Sequence, residues 1–477
     1  MRKLLSFVRA QLSRILAAIA ICCLILLWAG CTGLKQYRTA VRAFDATLSG
    51  AECAACSIEL TTNYLLGLVE FDDQGWLWSR KQMDAVLDRL ASEDSTNGLL
   101  IMVYVHGWNH NASWDDDNVA MFRTNLTELA EMERQLSRDG GWRPRTVAGV
   151  YVGWRGLSSN IGLFSRLSFW DRKNTAHEVG RGAVTEFYGR LEDLRNNSRV
   201  LHAGETRRKQ TQLIIIGHSL GGALTYSALA PLLVERSVQS STNQSVGQVK
   251  GFGDLVVLVN PAFEAARFEV LYNITTNRHW YATNQPVNLV IFTSKADTAT
   301  KFWFKLGRRS STLWEKYRDR DQKNANITAI GHDGPFITHD LVYLTNNPLF
   351  APPPPSRTAT PKSLPKPGGN PRVKSKAYTG HLTVSNSVAQ VRSLQVQIER
   401  HRSSTKEQMP DRSYGFSHAR LVPREDHGKP ILHMPVFNVS VDKQIIPDHG
   451  AIDTQEFLTI LREFVAAFTA QGSESPK

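Results

Sequence analysis

Cysteine is scarce in this chain, with five in 477 residues. Cys22 and Cys23 fall inside an N-terminal apolar run, and Cys31 comes just after it. That leaves Glu52-Cys53-Ala54-Ala55-Cys56 as a lone C-x-x-C. With no second pair the spacing does not make a zinc site, and no thioredoxin-like surroundings make it a redox motif. A short local disulfide outside the cytoplasm is the expectation. Long apolar runs are equally scarce. Only the N-terminal one exists, which excludes a multi-span membrane protein. Collagen-like and coiled-coil chains are excluded as well, and no internal repeat is present. Basic stretches interleaved with aromatics are missing. The net charge of +12 therefore does not point to nucleic acid. Part of that surplus is Arg2, Lys3, Arg9 and Arg14, which precede any acid.

The hydrophobic fraction is 42% and the charged fraction 21%, so the chain is globular and able to bury a core. Its length suits one large domain with extensions or two smaller ones. The first residues read as an export signal. A basic segment runs to Arg14, and Ile15 to Leu27 is apolar and uncharged. That run has the length of a signal core and is short for a membrane span. Leu27-Trp28-Ala29-Gly30-Cys31 then resembles a bacterial lipobox, although Trp28 departs from the pattern. The resemblance implies a signal peptide over 1–30, a lipidated Cys31 and a mature protein on the outer side of a membrane, facing the periplasm or the exterior. The alternative is an uncleaved signal anchor. Both readings tether the chain to a membrane, with 31–63 as the tether.

From Tyr64 the sequence alternates strand-like and helix-like stretches. Leu99–Val105 and Leu213–Ile216 are wholly apolar, as strands covered on both faces are. Tyr64–Phe71, Val147–Val152, Leu255–Val259, Leu289–Phe292 and Phe437–Val441 read as further strands. Ser79–Ala91, Met121–Leu136 and Leu220–Leu233 carry helical spacing. A last amphipathic helix starts at a capping-box-like Asp453 and Glu456 and runs through Phe468. The alternation predicts an α/β fold with a doubly wound, mostly parallel sheet. Its core spans 64–300 and 434–470. Between them lies a long insertion, 301–433, with a Pro-, Ser- and Lys-rich extended loop over 351–376.

The sharpest motif is Gly217-His218-Ser219-Leu220-Gly221, between an apolar strand and a helix. Flanking glycines let the backbone turn sharply there and leave the hydroxyl exposed, while the helix N-terminus offers amides to an oxyanion. At this point the sequence resembles the α/β-hydrolase family of lipases and esterases. His106-Gly107-Trp108, closing a strand, matches the H-G motif of that family. The resemblance implies an oxyanion hole from the amides of Trp108 and Leu220, with the His106 side chain merely packed. It also implies an acid after the serine and a histidine after the acid. Asp297 follows a late strand and is the expected acid, with Glu264 the competitor one strand earlier. His449 precedes the final helix and is the expected base, with His332 and His339 as competitors.

These readings imply a serine hydrolase that cleaves carboxylic esters, lipid esters among them, through an acyl-enzyme on Ser219. No metal or organic cofactor is implied. The expected partners are a small-molecule or lipid ester and the membrane. An acyltransferase or thioesterase would use the same residues. A non-catalytic scaffold that attaches to an anionic surface through the basic, proline-rich loop is the alternative from another class.

Overall fold

The computed structural model describes residues 33–46, 53–156, 162–205, 210–242, 248–278, 281–344, 384–403, 412–424, 431 and 433–469, with isolated positions 11, 14 and 17. Most of the expected signal, Cys31 and the 351–376 loop lie outside the described residues.

The strands are β1 (Ala40–Asp45), β2 (Cys56–Leu60), β3 (Tyr64–Glu70), β4 (Leu99–Val105), β5 (Thr146–Gly153), β6 (Gln212–His218), β7 (Leu255–Val259), β8 (Leu289–Ser294), β9 (His339–Tyr343), β10 (Tyr414–Gly415), β11 (Ala419–Pro423) and β12 (Val436–Val441). They form one 12-stranded sheet in the order β1-β2-β3-β5-β4-β6-β7-β8-β12-β9-β11-β10. From β3 to β9 every neighbouring pair is parallel. Antiparallel pairing is confined to the two ends of the sheet.

Helices cover both faces. On one face lie α1 (Arg80–Asn97), α2 (Asp117–Gly140) crosses to the other, and α3 (Gly162–Arg181), α4 (Val184–Leu201) and α5 (Leu220–Thr242) return to the first. Five further helices follow: α6 (Glu269–Asn277), α7 (Phe304–Ser311), α8 (Arg320–Ile327), α9 (Val384–Ser403) and α10 (Gln455–Phe468). The period of two in β4 sorts its side chains. Leu99, Ile101, Val103 and Val105 pack with α1, α3, α4 and α5, whereas Leu100, Met102 and Tyr104 pack with α2, α9 and α10. Both faces of the strand are buried, which is why its run is continuously apolar.

Three boundaries differ from expectation. The 31–63 segment is more than a tether, because β1 and β2 extend the sheet. The fully buried Arg38 fastens it: Nε donates to the Ala112 carbonyl at 2.7 Å and Nη1 to Glu59 at 3.2 Å. Cys53 and Cys56 are disulfide-bonded at the start of β2. The 301–433 segment likewise contributes β9, β10 and β11, so β12 lies inside the sheet between β8 and β9. Its short strands, with single apolar positions alternating with exposed ones, carry little sequence signal. Finally, α10 is capped by Thr454 rather than Asp453: its Oγ1 accepts from the Phe457 amide at 3.3 Å. Among the described residues no helix is long and apolar enough to cross a membrane.

Candidate active site

The turn from β6 into α5 is sharp: the strand ends at His218 and the helix begins at Leu220. Ser219 sits at φ +54°, in the left-handed region. That conformation is costly for a residue with a side chain and persists only where the surroundings enforce it. Here they do. A Cβ on Gly221 would lie 2.2 Å from the Val105 carbonyl oxygen, and one on Gly217 would lie 2.7 Å from the Gly221 oxygen. The glycines thus let the start of α5 press against the end of β4. The elbow is tied to β7 as well: the Ser219 amide donates to the Val259 carbonyl at 2.9 Å, and the Ala262 amide donates to the Ser219 carbonyl at 3.1 Å.

The three residues expected to act together do meet, although they come from positions 219, 297 and 449. Ser219 Oγ lies 2.7 Å from His449 Nε2, and His449 Nδ1 lies 2.8 Å from Asp297 Oδ2. A carboxylate only accepts, so Nδ1 carries the hydrogen and the Nε2 lone pair faces the serine hydroxyl. Asp297 is buried, and the His449 side chain is 23% exposed. Burial pushes the Asp297 carboxyl up. The attraction of His449, its hydrogen bond and two from Thr300 outweigh that and hold it below the usual carboxylate range. Thr300 donates its amide to Oδ1 at 3.0 Å and its hydroxyl to Oδ2.

His106 has a use beyond packing. Its ring is buried and stacked between Tyr151 and Trp154. Nδ1 donates to the Gly107 carbonyl at 2.9 Å, and Nε2 accepts from the Trp154 amide at 3.1 Å. Carbonyl and N–H point opposite ways across a trans peptide. Holding the Gly107 carbonyl on His106 therefore turns the Trp108 N–H away from the ring. Burial pushes the His106 imidazole down to about 4, so this tautomer is neutral at ordinary pH. A Cβ on Gly107 would lie 3.0 Å from Ser219 Cβ, so this turn packs directly on the serine. Among the described residues neither the Trp108 nor the Leu220 amide is given to a protein acceptor.

The competitors fall elsewhere. Glu264 is buried in a cluster of cations, with Lys173 Nζ at 2.7 Å, Arg267 Nε at 2.9 Å and Arg308 Nε at 3.0 Å. Burial pushes its carboxyl up, but these cations outweigh burial and bring it down to about 2. The pair with Lys173 holds elements together rather than serving His449. Glu264→Gln leaves a buried lysine without its anion and is expected to cost roughly 3–5 kcal/mol in denaturant unfolding. The depressed carboxyl contributes stability above its ordinary value of 4.5 and loses it as pH falls towards about 2. The variant should lack that part of the acid limb, while the molecules that remain folded keep their turnover. Unchanged stability with lost turnover would instead make Glu264 the acid. His332 Nε2 donates to Thr300 Oγ1 at 2.9 Å and reaches Asp297 only through it. His339 opens β9 and stacks on Phe437 at 4.2 Å between ring centroids.

Sequence reading missed the groups that pin the His449 loop. The His449 carbonyl accepts from Asn260 Nδ2 at 2.9 Å and from His218 Nε2 at 3.0 Å. Asn260 stands at φ +45° at the end of β7, a conformation asparagine tolerates, and its Oδ1 accepts from the Ser294 amide at 2.9 Å. It thereby joins the ends of β7 and β8 to the histidine loop. Burial, then the neighbouring His449, push the His218 imidazole down to about 3, so it stays neutral. An apolar cavity of about 40 Å³ lies on the α2 and α10 face, lined by Met102, Phe122, Ile216, Ile452 and Phe457. It has too little room for an acyl chain. Among the described residues no group of three or more His, Cys, Asp or Glu side chains is placed to hold a metal ion. No family model matches the chain, and no curated protein or solved structure matches it either.

Proposed function

We propose that this chain is a serine hydrolase of the α/β-hydrolase type that cleaves carboxylic esters, lipid esters among them, and is held at the outer side of a membrane through Cys31. One observation carries the chemical reading. A serine on a strained strand-to-helix turn lies 2.7 Å from an imidazole nitrogen, and the other nitrogen of that ring lies 2.8 Å from a buried carboxylate.

In this reading Ser219 Oγ attacks the acyl carbon while His449 Nε2 takes its proton. The carbonyl oxygen becomes an oxyanion and accepts from the amides of Trp108 and Leu220. As the intermediate collapses, the carbon–oxygen bond to the alcohol breaks, and His449 returns the proton to the departing oxygen. Water then attacks the acyl-enzyme, giving its proton to His449. Collapse releases the carboxylic acid and restores the Ser219 hydroxyl. Asp297 keeps the tautomer and stabilises the imidazolium without taking the proton.

A fluorophosphonate probe with peptide mapping, followed by a p-nitrophenyl ester series of rising acyl length, tests this. Label at Ser219 and turnover that varies with chain length are expected. A folded chain that takes no label at Ser219 and hydrolyses no member of the series overturns the reading.

A further inference from the structure

We propose that residues 301–314, on and around α7, form a docking surface for an anionic lipid bilayer at the active-site edge of the sheet. The segment reads Lys301-Phe302-Trp303-Phe304-Lys305-Leu306-Gly307-Arg308-Arg309-Ser310-Ser311-Thr312-Leu313-Trp314. It holds aromatic and basic side chains and no acid.

The segment has two faces. The inner row is Phe304, Arg308 and Thr312, at the i, i+4 spacing of a helix. Phe304 is buried, with its ring centroid 5.6 Å from that of Trp170. Arg308 reaches Glu264 at 3.0 Å and the Asn326 carbonyl at 3.2 Å. Thr312 is buried and donates to the Arg308 carbonyl at 2.7 Å. Gly307 completes this contact, because a Cβ there would lie 1.9 Å from the Trp170 ring. These contacts fix the helix on the protein, so its outer face is presented rigidly.

That outer face is apolar and largely open to solvent, with the Phe302 and Trp303 rings edge-to-face at 5.2 Å. Phe302 and Trp303 are each 59% exposed, Leu306 50%, Leu313 73% and Trp314 94%. Five large apolar side chains brought this close together in water mark an interaction surface. Lys301 and Arg309 stand exposed beside them, and Lys305 is half-buried. Lys301 and Arg309 form no ion pair within 4.0 Å among the described residues. Tryptophan and phenylalanine flanked by lysine and arginine suit the lipid interface, where rings enter the headgroup boundary and cations meet anionic phosphates. Lys305 is within electrostatic reach of Asp333, so Lys301 and Arg309 carry the positive charge that selects an anionic bilayer over a neutral one.

The position links this surface to the site. Thr300, whose amide and hydroxyl hold Asp297, directly precedes Lys301. The proposed surface therefore begins one residue after the group that holds Asp297. The docking argument rests on α7 alone and stands whether or not the chain is a hydrolase.

The test is tryptophan quenching in the full chain reconstituted into vesicles of phosphatidylglycerol with brominated acyl chains. The wild type should be quenched, and less so in brominated phosphatidylcholine. Trp303→Ser/Trp314→Ser should lose that component. Lys301→Glu/Arg309→Glu keeps both tryptophans and should also lose it in phosphatidylglycerol. Any quenching at Trp28 is common to all variants and drops out of the differences. Equal quenching in the wild type and the serine double variant overturns the proposal. So does a lipid-free dimer that the serine variant dissociates, since a second copy would then cover the surface.

Discussion

Ser219→Ala is expected to abolish ester hydrolysis and to leave the fold intact. The hydroxyl is the attacking group, and neither His449 nor the amides of Trp108 and Leu220 replace it. Loss of such a nucleophile costs on the order of 10⁶-fold in kcat, because the remaining members of the set do not act without it. The structural cost is small. Alanine keeps the Cβ that packs on Gly107 and the backbone bonds to Val259 and Ala262, and removes one hydrogen bond to His449 worth about 1 kcal/mol. It does not relieve the backbone either, since φ +54° is as unfavourable for alanine as for serine. Turnover of a p-nitrophenyl ester beside a circular-dichroism melt checks both halves. Wild-type turnover in the variant would mean that another group is the nucleophile.

The parts of this site that were legible in sequence are those where the backbone makes a local demand. Gly217 and Gly221 are spaced for a turn that no side chain fits, and the wholly apolar strand before them places that turn at a sheet edge. Asp297 was legible because it comes just past a strand, and His449 because it lies between the last strand and the final helix, in the order the resemblance implies. What stayed hidden is contact between distant segments. Thr300 looks like an ordinary loop threonine until its hydroxyl is seen on Asp297. Asn260 and His218 meet the His449 carbonyl only because β6, β7 and β12 end on one edge. Glu264 and Asp297 are alike as sequence, each an acid just past a strand. They differ because Lys173, Arg267 and Arg308 converge on one and an imidazole on the other. The strands that 301–433 adds to the sheet were hidden for another reason. β9 buries only alternate residues, so it lacks the continuous apolar run that marks β4 and β6.

His449→Ala is expected to remove hydrolysis as completely as Ser219→Ala, on the order of 10⁶-fold in kcat. The comparison with the other two histidines makes the prediction specific. With alanine at 449 the serine proton has no acceptor and Asp297 has no ring to orient, since His449 is the group in contact with both. His332 is the nearest alternative in bonding, yet its hydrogen bond ends on Thr300 Oγ1. His332→Ala leaves the Thr300 amide on Asp297, and the loss of one neutral hydrogen bond of about 1 kcal/mol bounds its effect on turnover at about fivefold. His339 is buried against Phe437, so His339→Ala should read out in stability, by roughly 1–3 kcal/mol, with kcat preserved in the folded fraction. Steady-state kinetics on the three variants, normalised to the folded fraction from each melt, decides between them. Near-normal turnover in His449→Ala together with a dead His332 or His339 variant would move the base out of the α10 loop.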